Sequence, residues 1–453
     1  MKTLGLDIGT TTISVVVLDY YKEEGQSEVL DALTLESNSF IHTGHDWERI
    51  QDTELIWAKA KDAVDQMLAK YKDIASIGVT GQMHGIVYTD AEGQAVSPLY
   101  TWQDGRGNLV DMYEGTAAAE TLTAYVLRRT GVTAATGYGL ITHLYNRKHG
   151  LVPECAVQLS TICDYMGMKL TGRARPLMHI TNAASLGFFD VDHGCFLEKA
   201  FADCGGDVEI LPEVTEEFDV IGTYRGIPVT AALGDNQASF LSSVGPNYHT
   251  ALINMGTGGQ ISILSPAPVQ GENIETRPFM KGSYLLVGAS ICGGRAYAIL
   301  EKFLRSYAEA AGAEAHSQYD VMAKLADGAY AAGKTGMKVQ TTFSGTRTNP
   351  DMTGSITHLT EDNFTPENLV YGVLEGMADE LCEMYRIMAA GVTAEQHILD
   401  VHKLVGSGNG LRRNPVLQQI FCDRFGARME LSSYNEEAAC GAAISSRMHT
   451  ARP

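Results

Sequence analysis

The chain of 453 residues carries 54 Asp and Glu against 34 Lys and Arg, a net charge of −20. Its length exceeds one ordinary core, and apolar and charged fractions of 45% and 19% describe a globular chain of about two domains. The acidity excludes the basic patch of a nucleic-acid binder, and no run approaches the roughly 20 apolar residues of a membrane span.

The first stretch, Leu4-Gly5-Leu6-Asp7-Ile8-Gly9-Thr10-Thr11-Thr12, predicts a buried strand over 2–7, a tight turn, and a second strand over 13–19. A turn of Gly and hydroxyl residues aims backbone N–H groups and side-chain oxygens one way, which suits phosphate. Gly9, Thr10, Thr11 and Thr12 would admit the phosphate, and Asp7 at the strand end would hold Mg²⁺ through water. In isolation, the same Asp and Gly read first as ordinary hairpin residues, a preference that the second copy of the turn at 254–259 reverses. Asp7 also interrupts the N-terminal apolar run, so no secretion signal is expected.

A third strand is expected at 28–35, a helix over 52–71 with Leu55, Ala58, Val64, Met67 and Leu68 near helical spacing, and a strand at 74–80. Gly81-Gln82-Met83-His84-Gly85 closes that strand, and Thr101-Trp102-Gln103-Asp104-Gly105-Arg106 follows. Gln82, Met83, His84, Trp102, Asp104 and Arg106 would line a polyol pocket, polar groups matching hydroxyls and the indole offering an apolar face. The alternative makes His84 a satisfied core histidine and Trp102 ordinary packing. Residues 116–175 read as mostly helical with Gly and Thr breaks, and the acidic run 213–219 as a solvated loop. After an apolar strand ending at Leu233, Gly234-Asp235-Asn236-Gln237-Ala238 makes a sharp turn into a helix. Asp235 is placed to take a proton from a substrate hydroxyl, with Asn236 adding a hydrogen bond; both residues are equally good N-caps.

The boundary falls near 245, giving domains 1–245 and 246–453. Just beyond it the first turn recurs: Ala-Leu-Ile-Asn254-Met255-Gly256-Thr257-Gly258-Gly259 runs into a strand at 261–264. Only the first copy keeps a carboxylate, Asp7 against Asn254. Two such turns imply a duplicated fold gripping a polyphosphate, with Gly256, Thr257 and Gly258 as its second set of donors. A third turn, Gly406-Ser407-Gly408-Asn409-Gly410, would let a ring or phosphate approach the backbone closely. Helices at 294–312, 366–391 and 434–448 are assigned to the second half. Eight cysteines without a C-x-x-C pair fit reduced thiols in a cytoplasmic protein, with no disulfide framework or zinc site. Neither His42-Thr43-Gly44-His45 nor Cys292 has the partners a metal or reactive-thiol site needs.

These motifs, in this order, resemble the FGGY carbohydrate kinase family over essentially the whole chain. The resemblance implies an α/β fold of two actin-like (ribonuclease H-like) domains, with ATP and sugar in a central cleft. It places the phosphate loops on Asp7–Thr12 and Asn254–Gly259, the catalytic base and a share of the Mg²⁺ site on Asp235, and the nucleotide turn on Gly406–Gly410. A helix at Glu437–Ala443 follows the family pattern, and Phe343-Ser344-Gly345-Thr346-Arg347 is similar to its F-x-G-x-R element, with Thr346 where an acid is frequent. Thr101–Arg106 looks more like the sedoheptulokinase branch than the xylulokinases, and an Arg-Glu pair of the glycerol kinase kind is absent. The expected substrate is therefore a ketose, D-sedoheptulose first and D-xylulose second, with ATP and Mg²⁺ as cofactors. No nucleic-acid or membrane partner is implied, and a homodimer is left open. The rival readings are an actin-fold ATPase without a sugar and an inert sugar sensor.

Overall fold

Strands β1 (Lys2–Ile8) and β2 (Thr12–Tyr21) run antiparallel with Ile8 opposite Ile13, so the chain reverses within Gly9–Thr11. This computed structural model describes residues 1–21, 26–115, 118–314, 316–333 and 336–448. Strand β3 (Gln26–Glu36) continues the meander beyond β2. Helix α1 (Thr53–Lys70) starts where the Asp52 carboxylate accepts the Leu55 N–H at 2.9 Å, and it returns the chain to β4 (Ile74–Gly81), parallel to β1. The buried face of α1 is Ile56, Ala60, Ala63, Val64 and Met67. Val64, Met67 and Leu68 are buried as expected, whereas Leu55 and Ala58 are exposed, because Ile56 and Ala60 carry the inward face in the first turns.

The stretch expected to be mostly helical holds Leu122–Thr130, Gly139–Lys148 and α2 (Ile162–Thr171), joined by loops and the short strand Gln158–Ser160; residues 116–117 lie outside the described residues. After the short helix α3 (Ile180–Ser185), the acidic run is not wholly loop, since Glu213–Thr215 pairs parallel with Leu177–His179. Then come β5 (Val220–Tyr224), β6 (Ile227–Thr230), the two-residue β7 (Leu233–Gly234) and α4 (Asp235–Val244). The sheet order is β5-β6-β4-β1-β2-β3, with β7 also beside β4. Leu4, Leu6, Ile8, Val15, Val17 and Ile77 join the α1 and α2 side chains in one core.

The second sheet repeats this plan. Its strands include β8 (Thr250–Met255), β9 (Gly259–Ser265), β10 (Ser283–Ser290), β11 (Lys403–Ser407) and β12 (Arg428–Leu431), in the order β10-β9-β8-β11-β12, with a sixth strand, Ile274–Met280, on the edge beside β10. β8 is antiparallel to β9 and parallel to β11, as β1 is antiparallel to β2 and parallel to β4. Asp7 stands in register with Ser14 and Thr80, and Asn254 with Gln260 and Ser407. The duplication expected from the two turns is therefore a duplication of sheet topology. Helices α5 (Gly293–Ala310) and α6 (Pro366–Ala394) belong to this half. α6 opens with Pro366 behind an N-cap Thr365 and buries Val370, Leu374, Met377, Leu381 and Met388.

By internal contacts, one unit comprises 1–243, 278–281 and 434–453, and the other 244–277 and 282–433. The last helix, α7 (Glu437–Met448), thus belongs with the first sheet and not with the second half, to which chain order assigned it. Its small residues explain the change. A Cβ on Gly5 would lie 1.9 Å from the Ala439 carbonyl oxygen, and one on Gly78 would lie 1.8 Å from that of Ala442. Gly441 makes the same close approach to the Ala238 carbonyl in α4. Backbone-to-backbone packing of this kind needs Gly and Ala on both sides, and Ala439-Cys440-Gly441-Ala442-Ala443 supplies them.

Candidate functional site

In the first unit the turn after β1 is fixed from three directions. The Gln51 amide donates to the Thr10 carbonyl at 2.7 Å, and the Gln82 amide donates to Gln51 Oε1 at 2.8 Å. The Trp102 indole N–H donates to Thr10 Oγ1 at 3.0 Å, and the Gln82 backbone N–H to the Ile8 carbonyl. The Gly9–Thr12 turn and the Gln82 and Trp102 segments, found separately in the sequence, thus share one small volume. Gln51 is fully buried and was not anticipated, since a long-range side-chain bond leaves no local signal.

Asp7 points from the end of β1 and is half-buried. Burial pushes its carboxyl up to about 8, reinforced by the charges of Asp235 and then Glu436. Its Oδ1 is buried and has no hydrogen-bond partner. Asp235 opens α4, and the side-chain oxygen of the adjacent Asn236 is also buried without a partner. An orphaned carboxylate oxygen repelled by two neighbouring carboxylates fits a cation. Among the described residues no group of three or more His, Cys, Asp or Glu is arranged to hold a metal. Glu436 was not foreseen. It sits just before α7, accepts from Thr34 Oγ1 at 2.9 Å, and comes near Asp7 only because α7 docks on this sheet.

Met83 and His84 lie beside the Asp235 turn. A Cβ on Gly234 would meet Met83 Sδ and Cε at 2.8 Å. His84 has φ +72°, and the Gly85 N–H donates to the Met83 carbonyl at 2.9 Å across it, a γ-turn of the rare and strained hand. The His84 ring stacks on Tyr138 with centroids 4.8 Å apart, a neighbour the sequence did not reveal.

Asp104 and Arg106 depart from expectation. Both are buried, at 0% and 1% exposure. Arg106 Nε and Nη2 donate to the two Asp104 oxygens at 2.6 and 3.0 Å, Nη1 donates to Asn146, and Nη2 reaches Glu48 at 3.3 Å. The guanidinium also lies over the Tyr100 ring, 4.4 Å from its centroid. Asp104 in turn accepts the Arg49 and Arg106 backbone N–H groups. The pair fixes the segment that carries Trp102 and presents no donor or acceptor to solvent, so its expected place in a polyol pocket is corrected to a supporting one.

In the second unit, the Gly256–Gly258 turn is seated on the start of α5. The Gly294 and Arg295 N–H groups donate to the Gly256 and Thr257 carbonyls at 3.0 and 2.9 Å. A Cβ on Gly293 would lie 2.3 Å from the Gly258 carbonyl carbon, so the two backbones touch there as well. The third turn packs on the same strand end, where Asn254 Nδ2 donates to Ser407 Oγ at 2.7 Å and Gly408, at φ +84°, abuts the Met255 carbonyl. Gly406 and Ser407 are buried, while Gly256, Thr257 and Asn409 are exposed.

The N-terminal domain model of the FGGY family of carbohydrate kinases matches residues 2–242, and its C-terminal domain model matches 251–448. The chain is 27% identical to a sedoheptulokinase of Homo sapiens, covering 98% of this chain and 96% of that one. Among solved structures, the xylulose kinase from Rhodospirillum rubrum superposes with a TM-score of 0.79 at 20% identity, covering 99% of this chain and 90% of that one. The Plasmodium falciparum glycerol kinase with ADP superposes at 0.77 and 19% identity, covering 99% and 89%. The fold is the two-domain actin-like one of these sugar kinases, and no helix among the described residues is long and apolar enough to cross a membrane. Two family models that together span nearly the whole chain establish that it belongs to the FGGY family of carbohydrate kinases and is a sugar phosphotransferase.

Proposed function

We propose that this kinase transfers the γ-phosphoryl group of ATP to the terminal primary hydroxyl of a ketose, D-sedoheptulose in the first instance. The observation that carries the reading is the pairing of Asp7 and Asp235, two carboxylates kept close although the charge of Asp235 disfavours that of Asp7. Such an arrangement is costly unless a cation and a proton-bearing substrate use it.

Asp235 orients the acceptor hydroxyl and takes its proton as the new O–P bond forms. A carboxylate is a weak base toward an alcohol, but a loose phosphoryl-transfer transition state lets the proton leave late, so positioning supplies most of the rate. Gly9, Thr10, Thr11 and Thr12 offer N–H and hydroxyl donors to phosphate oxygens, as do Gly256, Thr257 and Gly258 in the second unit. Gly406, Ser407, Gly408 and Asn409 serve the nucleotide. Gln82, Met83, His84 and Asn236 meet the sugar, and Trp102 flanks it. Asp7, with Asp235, would hold Mg²⁺ through water, and the ion when bound neutralises charge on the transferring phosphoryl group.

The choice of D-sedoheptulose is supported by the full-length likeness to a sedoheptulokinase. D-Xylulose is the second reading, supported by the xylulose kinase structure at a TM-score of 0.79. Asp235→Asn tests the mechanism. We expect sugar-dependent ADP release to fall at least roughly 1000-fold while ADP still raises the melting temperature, because loss of a base and its charge costs several kcal/mol of transition-state stabilisation. Near-normal turnover would refute the base.

A further inference from the structure

We propose that the six-residue helix α3 positions the Asp235 carboxylate and the His84 ring in one frame, with Thr181 and Asn182 holding the first and Ser185 the second. The inference rests on the reading above, in which Asp235 is the base and His84 meets the sugar.

The segment that delivers Asp235 has little ladder of its own. β7 pairs with β4 over only Leu233 and Gly234. Its backbone is held by buried side chains instead. Asn182 Nδ2 donates to the Ala232 carbonyl at 3.0 Å, Thr80 Oγ1 to the Leu233 carbonyl at 2.7 Å, and the Gly234 N–H donates to Thr181 Oγ1 at 3.0 Å. All three side chains are at most 1% exposed. Thr181 is oriented in turn. His179 Nδ1 accepts the Thr181 N–H as N-cap of α3, so the same nitrogen accepts the Thr181 hydroxyl proton at 3.0 Å. That directs an Oγ1 lone pair at Gly234. Burial holds His179 neutral, its imidazole pushed down to about 4, as an acceptor must be.

The other end of α3 holds the strained γ-turn. Ser185 Oγ accepts the His84 N–H at 3.1 Å while its own hydroxyl proton goes to the Asn182 carbonyl at 2.7 Å. His84 Nδ1 lies 2.7 Å from the Ser185 carbonyl, which can only accept, so Nδ1 carries the proton and the ring's tautomer is set. A residue at φ +72° persists only where its surroundings over-determine it, and Ser185 provides two of those constraints. Because Thr181 and Ser185 are one turn apart on one helix, the distance from base to sugar reader is set by a rigid element.

The test is steady-state kinetics of full-length variants with whichever of D-sedoheptulose and D-xylulose turns over faster, alongside Asp235→Asn. Thr181→Val should lower kcat roughly 10- to 100-fold with sugar KM within about threefold, because sub-ångström errors in base position act on the transition state. Thr181→Ser, which keeps the acceptor, should restore kcat to within about threefold. Ser185→Ala should raise sugar KM roughly 10-fold with kcat little changed. In all of them ADP should raise the melting temperature as in the parent protein; a merely structural role would weaken that response, leave sugar KM unmoved in Ser185→Ala and leave kcat within threefold in Thr181→Val. If Thr181→Val does not fold, Thr181→Cys carries the same expectation. Unchanged sugar KM in Ser185→Ala, or kcat within threefold in Thr181→Val, beside an inactive Asp235→Asn, would overturn the inference alone. An active Asp235→Asn, or no turnover of either ketose, would overturn the reading and the inference together.

Discussion

Asp235 lies close enough to Asp7 that its charge, after burial, is the next cause of the Asp7 carboxyl's rise to about 8. A protein that keeps two such groups together gains when a cation joins them. Asp7→Asn should therefore abolish the Mg²⁺-dependent rise in melting temperature and reduce turnover roughly 100-fold. A differential scan with and without Mg²⁺ reads this directly, and a Mg²⁺ response equal to the parent's would remove Asp7 from the metal site.

Arg106 makes the opposite prediction. Because its guanidinium is 1% exposed and bonded to Asp104, Asn146 and Glu48, its loss strands a buried carboxylate. Arg106→Met should cost on the order of 3–5 kcal/mol of stability, seen as a lower denaturation midpoint in urea. The folded fraction should keep its sugar KM. A raised KM with unchanged stability would return Arg106 to the sugar pocket.

The seat of α7 can be probed at one atom. Gly78→Ala places a methyl 1.8 Å from the Ala442 carbonyl oxygen, against backbone that cannot rotate away. A loss of several kcal/mol, at the upper end of overpacking effects, is expected in chemical denaturation. A variant as stable as the parent would contradict the packing of this helix on the first sheet.

His179 links stability to pH. Its folded-state value is lowered from 6.5 to about 4, so between those values the unfolded chain binds the extra proton. The stabilisation is complete above pH 6.5 and is lost as pH falls toward 4, a change of roughly 3 kcal/mol at most from this group. Urea midpoints measured from pH 7.5 to 4.5 should fall more steeply in the parent than in His179→Asn, which keeps an N-cap acceptor but cannot titrate. Parallel curves would show that His179 is not buried neutral.

Much of this architecture was legible because strands and turns have local signals. The apolar runs around Asp7 and Asn254, and the Gly and Thr between them, marked both hairpins, and the paired turns foretold the shared sheet topology. What could not be read was direction and distance. Asp104 and Arg106 look like sugar ligands as residue types, yet they face each other in the interior, since spacing alone does not say which way a loop side chain turns. Chain order put 434–448 in the second half, while close packing of Gly5 and Gly78 against Ala439 and Ala442 decided otherwise. Gln51, Tyr138, Thr181 and Ser185 act through contacts made across the fold, and such contacts leave no periodic trace.

The most direct measurement is ADP release with Mg²⁺ and ATP against D-sedoheptulose, D-xylulose, D-ribulose, glycerol and a no-sugar blank. Release that depends on a ketose, and is fastest with D-sedoheptulose, is the predicted result. A D-xylulose preference would keep the reaction and change its substrate. Equal release with and without sugar would contradict the assignment of Asp235 as the base for a sugar hydroxyl.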